Sequence, residues 1–505
     1  MGEHDVIVIG AGNAAFCAAL AAREKGASVL MLERASEAES GGNTRFTAGA
    51  IRVAYRGVDD LKVLMPDLTA DEIATTDFGT YTTDQFFDDM FRVTRYRTDP
   101  ELCERLVTRS FETLLWLRGK GVRFAPIYGR QAFKIDGRFK FWGGLTVEAW
   151  GGGPGLIEQH TAIALKQGID IRYGTRALSL IYDGNRVRGV RVKHGQELFD
   201  LPAKSVVIAA GGFESNTEWR TRYLGPGWEL AKVRGTRFNT GDGIAMALDI
   251  GASPYGNWSG CHAVGWDYNA PEFGDLTVGD NFQKHSYPFG VMVNAHGRRF
   301  VDEGADFRNY TYAKYGRVIL EQPDQFAWQI FDSKVLHLLR GEYRIKRVTK
   351  VTAPTLEELA GKLEGVNPDT VLAEITAYNA AVRTDIPFNA NVKDGRRTDG
   401  LAIPKSNWAN RINEPPYEAY QVGCGITFTF GGLRVVPGTA QVVDTDHEPI
   451  PGLYAAGELV GGLFYFNYPG GTGLMSGAVF GHTAGSAAAD AARVNGPSAS
   501  PLTRR

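Results

Sequence analysis

Cysteine is scarce in this chain of 505 residues: there are four (Cys17, Cys103, Cys261, Cys424), and none are spaced as Cys-x-x-Cys. That excludes a disulfide framework, a cysteine-built zinc site and an iron–sulfur cluster, so redox chemistry needs a carried cofactor. Long apolar runs are missing as well, none approaching the ~20 residues that span a bilayer. Residues 1–5 lead straight into a short apolar run without the basic start and hydrophobic stretch of a secretion signal. The expectation is a cytoplasmic protein with no membrane insertion. Neither sign of charge dominates. Lys and Arg number 55 against 57 Asp and Glu, a net charge of -2, which offers no long-range field to nucleic acid or an anionic membrane. The expected partner is a small-molecule substrate, with no nucleic acid.

Glycine is what the chain has in quantity, 62 residues, gathered in short clusters between apolar runs, as where a backbone approaches a ligand closely. The length calls for more than one domain at ~100–200 residues each. An apolar β-branched run at 6–9, a turn at 10–12, an alanine-rich helix at 14–25 and a second apolar run at 29–32 form a βαβ unit. Residues 76–119 carry helical, amphipathic spacing through Phe86, Met90, Leu102, Leu106 and Leu114. A helix at 156–167 and alternating strands at 169–173, 178–182 and 187–192 follow. Between about 258 and 412 the periodicity is less regular, after which short strands and glycine clusters return and a small-residue helix spans 473–493.

The turn reads Gly10-Ala11-Gly12-Asn13-Ala14-Ala15. Gly10 makes the turn, Gly12 lets the backbone approach a pyrophosphate, and alanine in the third glycine's place is tolerated where helix and strand touch. Free amides and the dipole at the helix start favour phosphate. Glu33, followed by Arg34, ends the next strand in position to bond ribose hydroxyls. Together these specify a dinucleotide site. No second such fingerprint is present to hold a nicotinamide cofactor, so an external electron acceptor or donor is expected.

Two later segments, 209–213 (Ala-Ala-Gly-Gly-Phe) and 451–458 (ending Gly457-Glu458), resemble the FAD-binding half of the fumarate reductase and succinate dehydrogenase flavoprotein superfamily. Gly41-Gly42-Asn43-Thr44-Arg45, the segment 297–303 and Asn467-Tyr468-Pro469-Gly470-Gly471-Thr472-Gly473 extend the resemblance over nearly the whole chain. It is nearest to the tricarballylate dehydrogenase group, with related patterns in 3-ketosteroid dehydrogenases. The resemblance implies an α/β fold, a Rossmann-like FAD-binding domain in two segments (1–250 and 413–493) with an inserted α+β cap or substrate domain (251–412). Residues 494–505 are expected to be a disordered tail. The implied FAD contacts are Gly10, Gly12, Asn13, Ala14, Glu33, Arg34, Gly42, Asn43, Thr44, Ala177, Ala210, Gly211, Gly457, Glu458, Gly473 and Leu474. Glu458 takes the ribityl chain and Arg45 lies close to the flavin. Residues 40–49 contain no histidine, where covalently flavinylated relatives carry theirs, which implies noncovalent FAD.

Dehydrogenating a carbon–carbon bond requires a hydride path, a proton acceptor and a group that polarises the activating carbonyl or carboxylate. The amides of 470–473, at a helix start, suit the last role. Arg308 lies one residue from where fumarate reductases place a proton-delivering arginine; it is read first as a carboxylate clamp and second as an acid. Tyr468 stands where fumarate reductases carry a substrate-binding arginine and ketosteroid dehydrogenases a functional tyrosine. Thr427 replaces a histidine of the fumarate reductases, and His262, with His285 nearby, is a further candidate. The leading expectation is chemistry at a carbon–carbon bond beside a carboxylate or carbonyl, with a tricarballylate-type acid as candidate. The alternatives are a ketone or steroid-like ring, or an electron carrier without organic substrate. Three or more arginines converging on the pocket favour the acid; one arginine in an aromatic pocket favours the ketone.

Overall fold

The computed structural model describes residues 3–494. Strand β1 (His4–Ile9) is buried from Val6 to Ile9 and pairs in parallel on both sides, with β2 (Val29–Leu32) and with the strand Glu197–Ile208. An apolar run without alternation is what a strand covered on both faces requires. Asp170–Arg172 adds beyond β2, and Pro449–Ala455 adds beyond Glu197–Ile208, both parallel. The first part of Glu197–Ile208 instead joins an antiparallel meander with Val187–His194 and Thr175–Tyr182.

Helix α1 (Asn13–Glu24) returns between β1 and β2 and packs on the helix Thr472–Val494. Contact is close because glycines recur every fourth residue along one face: a Cβ on Gly481 would stand 2.5 Å from Ala14 O, and one on Gly485 2.0 Å from Ala18 O. Gly485→Ala should therefore destabilise the protein by about 1–3 kcal/mol, the usual cost of overpacking, despite alanine's better helix propensity. Thermal unfolding checks it, and an unchanged Tm would mean the helices separate at no cost.

The stretch expected to be helical at 76–119 forms two helices, Thr83–Val93 and Pro100–Lys120, with Phe86, Met90, Leu102, Leu106 and Leu114 buried. The break falls at Thr94–Asp99, where Asp99 caps the second helix and Pro100 takes its first position.

The second sheet is built on the strand Tyr417–Leu433. It pairs antiparallel with Pro254–Asp267, Ala327–Phe331 and Lys350–Ala353, and in parallel with Lys232–Val233; Val291–Asn294 adds to Ala327–Phe331. The second sheet thus draws in residues on both sides of 251–412, the span expected to be inserted. Within its central pair, register shifts fall between Asn257 and Cys261 and between His262 and Ala263. Bulges of this kind re-aim side chains, and here they flank His262. Of the expected tail, residues 495–505 lie outside the described residues.

Candidate active site

One cavity of about 260 Å³ extends from the carboxyl ends of β1 and β2, where parallel sheets bind ligands, to the central strand of the second sheet. At the first end, Gly10 has φ +115°, and a Cβ there would lie 2.3 Å from Ala209 O. Helix α1 starts after Gly12 with no side-chain cap, leaving first-turn amides for an anion. The Asn13 amide donates to Thr44 Oγ1 (3.1 Å) and its side chain to Leu474 O (2.8 Å), which ties three parts of the lining together. Glu33 is buried at the end of β2, accepts from the Ala35 amide (2.7 Å), and has its pKa raised by burial. Arg34 donates to Asp242 (2.9 Å) and Thr240 (2.7 Å), and Ala177 lines the same end.

Further along, Gly42, Asn43, Thr44, Ala14, Ala210, Gly211, Gly457, Gly473 and Leu474 all face the cavity. Asn43 donates to Glu214 Oε1 (2.6 Å) and to Thr427 O (2.7 Å), joining the first segment to the second sheet. Glu458 accepts from the Thr429 amide (2.6 Å) and hydroxyl (3.0 Å). Glu214 is fully buried beside Glu458, and burial followed by that second acid pushes its pKa far up, so the pair retains a proton. An uncapped helix, glycine backbone and an acid at the end of β2 are a donor and acceptor set that fits FAD. Arg45 departs from expectation. Its guanidinium turns outward to Ala38 O (2.7 Å) and Ser40 O (3.2 Å), away from the lining.

At the far end Tyr468, Arg308, His262 and Thr427 line the same cavity. The structure adds Arg130, Arg234, Tyr312 and Asp280, which the sequence reading missed. Tyr468 and Tyr312 share a hydrogen bond between their hydroxyls. His262 sits against both rings and Phe428, with centroids at 4.7, 4.9 and 5.2 Å, and neither ring nitrogen has a protein partner. Burial, then Arg234, holds its pKa well below the usual histidine range, so it is neutral. Arg234 approaches Asp280 at 3.7 Å and Thr427 Oγ1 at 3.4 Å. Arg308 donates to Arg130 O and to His285 Nδ1 (3.3 Å). The Nε atoms of Arg234 and Arg308 are buried without acceptors. The loop bearing Tyr468 is held by Arg52, wholly buried, which donates to Gly470 O (2.9 Å) and to Gly143 O. Gly471, at φ +83°, leaves no room for a Cβ, which would meet Leu145 at 2.3 Å.

The chain is similar over most of its length to known flavoproteins. Residues 5–474 match the family model described as FAD binding domain. A probable fumarate reductase of Shewanella frigidimarina is 30% identical over 497 residues, spanning 96% of this chain and 74% of that protein. The open conformation of a flavocytochrome c3 fumarate reductase is 29% identical, with a TM-score of 0.72 over 97% of this chain and 78% of the other. A 3-ketosteroid delta1-dehydrogenase of Sterolibacterium denitrificans shares the fold at 21% identity, with a TM-score of 0.74 over 97% of this chain and all of that one (100%). The chain belongs to the FAD binding domain family and is an FAD-dependent dehydrogenase or reductase of the fumarate reductase superfamily.

Proposed function

We propose that the protein oxidises or reduces a carbon–carbon bond beside a carboxylate, binding the acid between Arg234 and Arg308 with Tyr468 at the reacting carbon. Bound FAD supplies the two-electron exchange, as a hydride taken from or given to carbon. The carrying observation is that Arg130, Arg234 and Arg308 face one end of the cavity, two of them with buried Nε atoms lacking any acceptor. Arg130 pairs with Asp280 and Glu342, and Arg234 with Asp280, so among the described residues Arg308 is the one of the three without a carboxylate partner; an unpaired buried cation is costly, and a bidentate carboxylate relieves that cost. Three arginines favour an acid over a neutral ketone. The similarity to fumarate reductases, named for an unsaturated dicarboxylate, supports the same class.

Tyr468 and Tyr312 stand over this end as the proton-carrying pair. Burial, the leading effect, raises both phenols. Tyr312's hydrogen bond, then Arg234, offset this at Tyr468, making it the better placed to hand a proton to or from carbon. A second reading, a cyclic ketone, draws on the aromatic wall of Tyr312, Phe428, Phe464 and Tyr468. The test is anaerobic mixing of the purified yellow protein with tricarballylate, dicarboxylates, enoates and cyclic ketones while flavin absorbance is followed. Bleaching by saturated acids, or reoxidation of the reduced protein by enoates, is expected. Response to ketones alone favours the second reading, and response to none defeats both in favour of an electron carrier. Among the described residues no helix is long and apolar enough to cross a membrane.

A further inference from the structure

Behind Arg308 and His285, which also face the main cavity, lies a second cavity of about 20 Å³. Its walls are Phe133, Trp142, Phe289, Phe307 and Trp408, and Arg340 completes it. The space suits a group of a few atoms and is too small for a ring. Besides the Arg308 Nε assigned above to the reacting end, three buried nitrogens of its lining residues have no acceptor: Trp142 Nε1, Arg340 Nη2 and His285 Nε2. The last is a donor, because Arg308 Nη1 donates to His285 Nδ1, which fixes the neutral ring's proton on Nε2.

The charges around it are unbalanced too. Arg340 donates to Gly129 O (3.2 Å) and Ala132 O (2.9 Å), and Arg308 to Arg130 O, all neutral acceptors. Glu342, the carboxylate whose charge acts on both, is already engaged by Arg130 at 3.2 Å and by the His285 amide at 3.2 Å. Two guanidiniums without an ion-pair partner among the described residues, Arg308 buried and Arg340 half-buried, therefore share an aromatic-walled space, and a low-dielectric wall strengthens an anion contact.

We propose that this cavity is a subsite for a second carboxylate of the substrate, with Arg308 at the junction between it and the reacting end. The inference rests on the acid-substrate reading above and narrows it to acids bearing a carboxylate on each side of Arg308.

The test uses the holoenzyme and α,ω-dicarboxylates of four to seven carbons, each against the monocarboxylate of equal length, with Kd read by calorimetry and by flavin absorbance perturbation. The wild type should prefer the diacid by about 10-fold or more at one chain length, the scale of a charged hydrogen bond. Arg340→Gln should remove most of that preference, and Trp142→Phe, which keeps the stack on Phe307 and deletes only the N–H, should reduce it several-fold. A wild-type preference below about 2-fold at every length, or one unchanged in both FAD-bound variants, overturns the subsite. If monocarboxylic enoates still reoxidise the reduced flavin, the acid reading survives that failure. If no acid binds or exchanges electrons, both fall.

Discussion

Replacing Tyr468 with phenylalanine should slow substrate-dependent flavin reduction by about 10²–10⁴-fold, the usual contribution of a positioned proton-transfer group, while FAD stays bound. The ring is retained, so its contacts with His262, Phe428 and Phe464, at 4.7, 5.1 and 5.5 Å between centroids, persist. Only the hydroxyl is lost. The other polar groups at this end are poor substitutes: His262 is neutral and unpartnered, and Thr427 Oγ1 already accepts from Arg234. Tyr312→Phe should have a smaller effect on rate and raise the pH at which the reaction reaches its plateau. The reason is that Tyr312's hydrogen bond lowers Tyr468's pKa against the dominant effect of burial. Stopped-flow bleaching under nitrogen measures both, with the visible spectrum reporting bound flavin. Normal kinetics in the Tyr468 variant would reduce the residue to packing and move proton transfer elsewhere.

Arg308→Met should cost about 2–5 kcal/mol in binding of the acid, or roughly 30- to several thousand-fold in Kd, the loss found when one partner of a buried charge pair is truncated. Arg308 is buried to 9% exposure and is bounded by His285 and Arg130 O rather than by a carboxylate. Burial, the leading effect, lowers its pKa, so its charge is held at a cost that a bound carboxylate offsets. Methionine fills the space without the charge, and FAD binding should be unaffected. Lysine should restore binding only in part, since it offers a point charge and not a planar fork. Kd values from flavin perturbation decide the matter. If Arg308→Met binds acids as tightly as wild type, the clamp assignment is lost, and Arg234→Met becomes the variant that tests the remaining guanidinium.

Much of the cofactor half could be read from residues alone because its signals are local. The run Val6–Ile9, the turn at Gly10 and the acid at Glu33 lie within one βαβ unit, and short-range periodicity specifies such units. Arg45 shows the limit of local reading. Its position next to Gly41–Thr44 suggested a flavin contact, yet a short helical turn over Gly42–Phe46 directs the side chain to Ala38 and Ser40. Arg130, Arg234 and Tyr312 were not legible at all. Each lies in a segment whose own pattern reads as an ordinary loop or helix face, and their convergence depends on contacts between residues far apart in the chain.

The sequence by itself determined that this protein holds a dinucleotide in a Rossmann-like domain, and its resemblance to the fumarate reductase superfamily named that dinucleotide as FAD. A helix start, a glycine turn and a terminal acid are chemically committed wherever the rest of the chain goes. Only the tertiary structure decided what the far end of the cavity demands. A charge on a list of residues is neutral evidence, because a solvated arginine costs nothing. Once folding buries Arg308 with no carboxylate paired to it among the described residues and leaves its Nε without an acceptor, desolvation makes a bound anion favourable at that residue.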